Sequence, residues 1–158
     1  MVKSNKHIAP YGLIAEMELH YVTRVKASDR PKVLSSKHAV EVLKNVYDHN
    51  KIGHKEFFYL LLMNRANNVL GCIKISEGGI TGTVVDMRII FQAALKANAT
   101  SMIVSHNHPS GNLYPSEADI LLTRKLKDGA DILDIPMRDH IIVTPDFDYY
   151  SFADEGKL

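Results

Sequence analysis

Residues 105–119 read Ser-His-Asn-His-Pro-Ser-Gly-Asn-Leu-Tyr-Pro-Ser-Glu-Ala-Asp, directly after the apolar stretch Ser101-Met-Ile-Val-Ser105. This short apolar run reads as a buried strand. Side chains two apart in a strand project from the same face. His106 and His108 are therefore expected side by side at one strand end, where two imidazoles can bind one cation. Pro109-Ser110-Gly111 forces a turn. The chain restarts at Pro115-Ser116 and offers Asp119 as a candidate third ligand. Two His and one carboxylate with an open fourth position make the ligand set of a catalytic zinc rather than a closed structural one. A plainer reading stands beside this one. Ser116-Glu-Ala-Asp119 ahead of Ile120-Leu121-Leu122 is also a capping-box pattern, with Ser116 as N-cap. Capping accounts for the serine and the aspartate but not for the histidine pair upstream, and the two readings are compatible.

The rest of the chain supplies a frame for that segment. Its 158 residues suit one domain with a proper core. Residues 17–25 alternate as a strand, and Ser35-Ser36 can cap a helix running to about His49, with Ala39, Val40, Leu43 and Val46-Tyr47 on one face. Glu56–Met63 and Val69–Ile75 flank the polar turn Asn64–Asn68 and predict an antiparallel hairpin. Residues 77–82 are Gly-rich and read as a loop. Asp86 is placed to cap a helix over Met87–Asn98, whose apolar set is Ile90, Phe91, Ala94 and Leu95. The strand over 100–105 delivers the histidines. Ser116–Gly129 reads as a helix stopped by Gly129, and Asp139–Val143 as a further strand. Strands followed by interleaved helices and strands predict an α/β fold, a mixed β-sheet flanked by helices.

Composition narrows the function classes. A net charge of +1 with His neutral gives no electrostatic case for nucleic-acid binding. The basic residues at 24–32 and 124–127 are interleaved with acids or apolar residues and read as solvated faces. One cysteine, Cys72, allows no disulfide framework within the chain and no thiolate-rich zinc site. It sits in an apolar run and reads as a buried small hydrophobe. The first residues lack the apolar core of a signal peptide, and no segment approaches about 18 consecutive apolar residues. A cytoplasmic setting without a membrane is expected. The first ten residues are expected to be frayed.

His-x-His, seven residues, Ser, two residues, Asp is matched without a gap by His106, His108, Ser116 and Asp119. That spacing resembles the core motif of the JAMM (MPN+) metalloproteases. The fuller string SHNHPSG…PSEAD, with the later Asp139-His-Ile-Ile-Val143 and Tyr150-Ser-Phe152, resembles the RadC branch of that family, a bacterial group linked by name to DNA repair. The resemblance runs from about Arg30 to Leu158. It implies a JAMM/MPN fold of the cytidine-deaminase-like kind, with residues 1–28 as an N-terminal extension and 29–158 as the metalloprotease domain. It implies Zn2+ held by His106, His108 and Asp119. The family's upstream glutamate matches Glu56, which composition alone would leave as a solvated charge. By resemblance Glu56 is the general base and then general acid, and the Ser116 hydroxyl donates to the oxyanion. The implied activity is that of a zinc metallopeptidase, cleaving a peptide or isopeptide bond of a protein or peptide substrate with a metal-activated water. Many RadC-like proteins carry an N-terminal helix-hairpin-helix region. Too few residues precede the domain here for one, which counts against an inherited DNA-repair role.

Three further residues stand near these motifs. His140 is a candidate to support a ligand from behind, or else an ordinary core-edge histidine. Arg88 is placed to order the preceding loop or to bind a substrate carboxylate. Ser105 is placed to support His106 by hydrogen bonding. His7, His20, His38, His49 and His54 lack paired spacing and read as scattered surface residues. Two other functions compete with the hydrolase: a DNA-repair-associated accessory or binding protein with a metal site, and a zinc-dependent nuclease. Two-metal nucleases need more clustered carboxylates than this motif supplies.

Overall fold

The computed structural model describes residues 25–78 and 84–158. The frayed terminus expected at 1–10, the strand expected at 17–25 and the loop residues 79–82 lie outside the described residues. Val25 is the exception, and it sits in a bend. His7 and His20 are outside as well.

Among the described residues, five strands form one mixed sheet in the order β2-β1-β3-β4-β5. They are β1 (Phe57–Met63), β2 (Val69–Glu77), β3 (Ser101–Asn107), β4 (Met137–Val143) and β5 (Tyr149–Ser151). Only β3 and β4 pair in parallel, and the connection between them carries the long helix α3 (Glu117–Ile132). Helices α1 (Ser36–Lys44) and α2 (Met87–Lys96) complete the layers. The α/β architecture read from the sequence is the one observed.

Two-residue periodicity divides the core. Tyr59, Leu61 and Met63 of β1 pack with Ile103 of β3 against Ala39, Val40 and Leu43 of α1. Phe58, Leu60 and Leu62 pack with Met102 and Val104 against Ile90 and Ala94 of α2 and Leu126 and Ala130 of α3. Covering β1 on both faces explains its unbroken apolar run Phe-Phe-Tyr-Leu-Leu-Leu-Met. Each fully buried leucine here stabilises the fold by about 1.5–3 kcal/mol. Cys72 is half-buried against the α1 side, and burial pushes its thiol up to about 12.

Several boundaries differ from those expected, each for a local reason. α1 ends at Lys44, not near His49. The Asn45 amide donates to the Glu41 carbonyl and the His49 ring meets the Lys44 carbonyl at 2.9 Å. Side chains thus occupy carbonyls that another turn would need. Tyr47 nevertheless reaches the core through a looser turn, its N–H on the Leu43 carbonyl. In α2 Leu95 faces solvent. Gly129 does not stop α3, which runs on to Ile132. A Cβ there would lie 2.7 Å from the Phe91 ring of α2, so the glycine is where the two helices approach. The β1–β2 turn is as read: Asn64 Oδ1 accepts from the Ala66 and Asn68 N–H groups, and Asn67 adopts the left-handed conformation with φ 61°.

Asp139 of β4 is buried and accepts from the Ser151 hydroxyl at 2.6 Å and the Ala153 N–H at 3.0 Å, tying the C-terminal segment to the sheet. Burial, only partly offset by those donors, raises its carboxyl from the ordinary 3.8 to about 6. The folded chain therefore holds this proton more tightly than the unfolded one. Its contribution is full below about pH 4 and is lost as pH rises through about 6, up to about 3 kcal/mol in all. Denaturant unfolding at a series of pH values is expected to show the wild type losing stability relative to Asp139→Asn across this window. A constant difference would contradict it.

Candidate metal centre

β3 extends two residues past its expected end, so His106 lies inside the sheet, in register between Phe58 of β1 and Ile142 of β4. Its side chain is almost wholly buried, with the Phe58 ring stacked at 6.0 Å. His108 follows the strand, its backbone N–H on the Val143 carbonyl. The turn at Pro109–Gly111 then reverses the chain, with Gly111 at φ 78° and its N–H on the His108 carbonyl. That reversal brings the Asn112 carbonyl to 2.7 Å from His108 Nδ1. A carbonyl only accepts, so Nδ1 carries the hydrogen, and neutral His108 presents a bare Nε2 to the interior.

Asp119 arrives from the first turn of α3. Ser116 caps the helix, its Oγ accepting from the Asp119 N–H, while the Ser116 N–H donates to Asp119 Oδ2 at 2.7 Å. The capping box and a ligand role are compatible: the cap fixes the aspartate. Asp119 Oδ1 lies 3.2 Å from His106 Nε2, and Oδ2 lies 3.6 Å from His108 Nε2. The two Nε2 atoms are 3.0 Å apart. Among the described residues these three offer ligand atoms within 4.8 Å of one another. Two ring nitrogens and a carboxylate oxygen converging this closely could hold a metal ion. Hydrogen bonding to Asp119 holds His108 above the ordinary histidine value despite burial. Asp119 is raised by burial, but its bonds to His106 and His108 outweigh this and leave it well below the usual carboxylate range. Nitrogen and carboxylate donors in this grouping suit zinc or a similar divalent ion.

Glu56 immediately precedes β1 and accepts the Gly78 N–H on its carbonyl. With His106 and Asp119 it lines one cavity of about 210 Å³ walled by Phe58, Val85 and Leu122. Burial pushes its carboxyl above the usual glutamate value; His106 and His108 draw it back and Asp119 adds to the rise. A carboxyl raised above its usual value beside a candidate metal site suits proton transfer.

The structure thus gathers His106, His108, Asp119, Glu56 and Ser116 at one place. The Ser116 hydroxyl itself donates to Asp119 Oδ2 at 2.6 Å, so it holds that carboxylate directly. Ser105 does not support the site. Alternation turns it to the opposite face, where it bonds Tyr47 at 3.0 Å. Arg88 grips Asp86, its Nε and Nη2 on the carboxylate at 2.7–3.2 Å, and is otherwise exposed. His38, His49 and His54 are exposed, as read. His140 is buried, its Nε2 2.8 Å from His106 Nδ1 and its ring stacked on Phe152.

Asn107, between the two histidines, was missed. Its side chain points to the α1 face, where Oδ1 accepts from the Phe57 N–H at 2.8 Å and Nδ2 donates to the Ile52 and Lys55 carbonyls at 2.6 and 2.8 Å. It clamps the segment that presents Glu56 to the strand that presents the histidines.

Comparison with known proteins places this geometry. A family model described as the RadC-like JAB domain matches residues 33–157. This chain belongs to the RadC-like JAB domain family. Relatives named UPF0758 proteins include one from Flavobacterium johnsoniae, 41% identical over 92% of this chain and 62% of its own length. Others are from Porphyromonas gingivalis, 39% identical over 66% of this chain and 46% of its own, and from Geotalea uraniireducens, 36% over 75% and 51%. The RadC-like chain therefore spans about half to three-fifths of these relatives. The mixed sheet with flanking helices agrees with the JAB/MPN fold that the motif implied. Among the described residues of the RadC-like domain, no helix is long and apolar enough to cross a membrane.

Proposed function

We propose that this RadC-like domain is a zinc-dependent hydrolase of the JAMM type that cleaves a peptide or isopeptide bond. The observation that carries the reading is the convergence of His106 Nε2, His108 Nε2 and Asp119 Oδ1 beside a cavity that Glu56 also lines. His106, His108 and Asp119 would hold the ion. A zinc ion with an open position acidifies water toward neutrality and polarises a carbonyl.

The chain's own groups supply the remainder. Glu56, desolvated and facing the ligands, takes a proton from the attacking water and returns it to the leaving amine. Ser116 holds Asp119 Oδ2 through both its N–H and its hydroxyl. Rotation about Cβ–Oγ turns that hydroxyl toward a developing oxyanion while the N–H keeps the carboxylate in place. Phe58, Val85 and Leu122 limit water and raise the strength of each polar contact. One ion position and one proton carrier match amide hydrolysis. Two-metal phosphodiester cleavage calls for further carboxylates.

The test is a panel of peptide and isopeptide amides offered to the zinc-loaded chain, with and without chelator. Cleavage that chelator abolishes and added zinc restores supports the reading. Cleavage of single-stranded nucleic acid, with every amide intact, would replace it with the nuclease alternative.

A further inference from the structure

Thr123, His140 and His106 form a buried line of hydrogen bonds behind the ligand cluster. Thr123 lies one helical turn beyond Asp119 on α3, and its hydroxyl donates to the Asp119 carbonyl at 2.6 Å. That Oγ1 is also 2.7 Å from His140 Nδ1. A hydroxyl has a single hydrogen, already given to a carbonyl that can only accept. Toward His140 it must therefore accept, which places the His140 hydrogen on Nδ1. Neutral His140 then has a bare Nε2, and this atom lies 2.8 Å from His106 Nδ1. His106 must supply the hydrogen there, leaving its own Nε2 bare and facing Asp119 and His108.

We propose that Thr123 and His140 are positioning residues that set the tautomer and ring angle of His106, so that its Nε2 lone pair is presented to the metal. Two observations hold the line in place. Thr123, His140 and His106 are each at most 2% exposed, so water does not compete for their bonds. Phe152 stacks on His140 at 4.9 Å with its plane tilted by 10°, and Phe58 meets the same ring edge-on at 5.8 Å. The line begins and ends on ligand residues: it starts at the backbone of Asp119 and finishes at the ring of His106. It therefore couples the placement of α3 to the orientation of a side chain on β3. Partners of this kind behind a metal-bound histidine typically alter metal affinity about 10–100-fold when removed.

The proposal rests on the metal-centre reading for its consequence, but its first test needs neither metal nor substrate. Long-range ¹H–¹⁵N spectra of the zinc-free full chain are expected to show His106 and His140 both protonated at Nδ1. A hydrogen on His106 Nε2 in place of Nδ1 would overturn it, whether or not the protein proves to be a hydrolase. The second test is zinc affinity, measured by competition with a chromophoric chelator. Thr123→Val is expected to weaken zinc binding about tenfold or more and to redistribute the His106 hydrogen between its two nitrogens. Thr123→Ser is expected to restore both readouts. A folded Thr123→Val with unchanged zinc affinity and unchanged His106 nitrogen shifts would overturn the proposal. If Thr123→Val does not fold, the wild-type spectrum decides between the same two outcomes.

Discussion

Glu56→Gln is expected to lower amide hydrolysis about 10²–10⁴-fold while leaving zinc bound. The glutamine keeps the size of the original side chain but accepts no proton at working pH. Glu56 lies outside the cluster of three ligand groups, so the ion's contacts are untouched. The loss is expected in kcat, with KM changed little, because the carboxylate acts on the proton in flight rather than on bound substrate. Metal content read alongside the rate separates this outcome from a lost ligand. A Glu56→Gln chain that retains zinc and full activity would remove Glu56 from the mechanism.

Asn107→Leu is expected to be the most damaging single change to the fold near the site. Leucine has similar volume but leaves the Phe57 N–H and the Ile52 and Lys55 carbonyls without their partner. An orphaned buried backbone group costs about 1–3 kcal/mol, so three together amount to several kcal/mol, a large share of a domain's net stability. The segment ahead of β1 also loses its tether, and Glu56 loses its fixed approach to the cavity. Denaturant unfolding is expected to show a marked fall in midpoint. Where the variant stays folded, its zinc affinity is expected to fall much less than its rate, since His106 and His108 are held by separate bonds. A variant with unchanged stability and unchanged rate would contradict the clamp.

The parts of the site that follow from chain-local rules were readable. Strand alternation put His106 and His108 together, the spacing to Ser116 and Asp119 offered a third candidate ligand, and a capping pattern placed that aspartate at a helix start. Asn107 was not readable, because its partners Ile52, Lys55 and Phe57 lie some fifty residues away and are met only across the sheet. Thr123 had a usable signal, four residues after Asp119 on the same helix face. Its value depends on β4 placing His140 beside it, which parallel pairing with β3 decides. Ser105 was misassigned because adjacency in sequence is opposition in a strand. Gly129 looked like a helix stop, yet it answers to the Phe91 ring on another helix. Helix ends were the weakest part of the reading, since side chains such as Asn45 and His49 settle them through contacts that periodicity does not encode.

The most direct test is metal content of chain purified without chelator and without a histidine tag, wild type against His106→Ala/His108→Ala. About one zinc per chain in the wild type, lost in a double variant that remains folded, is the expected result. A wild type that carries no zinc and takes up none when it is added would contradict a metal-dependent hydrolase.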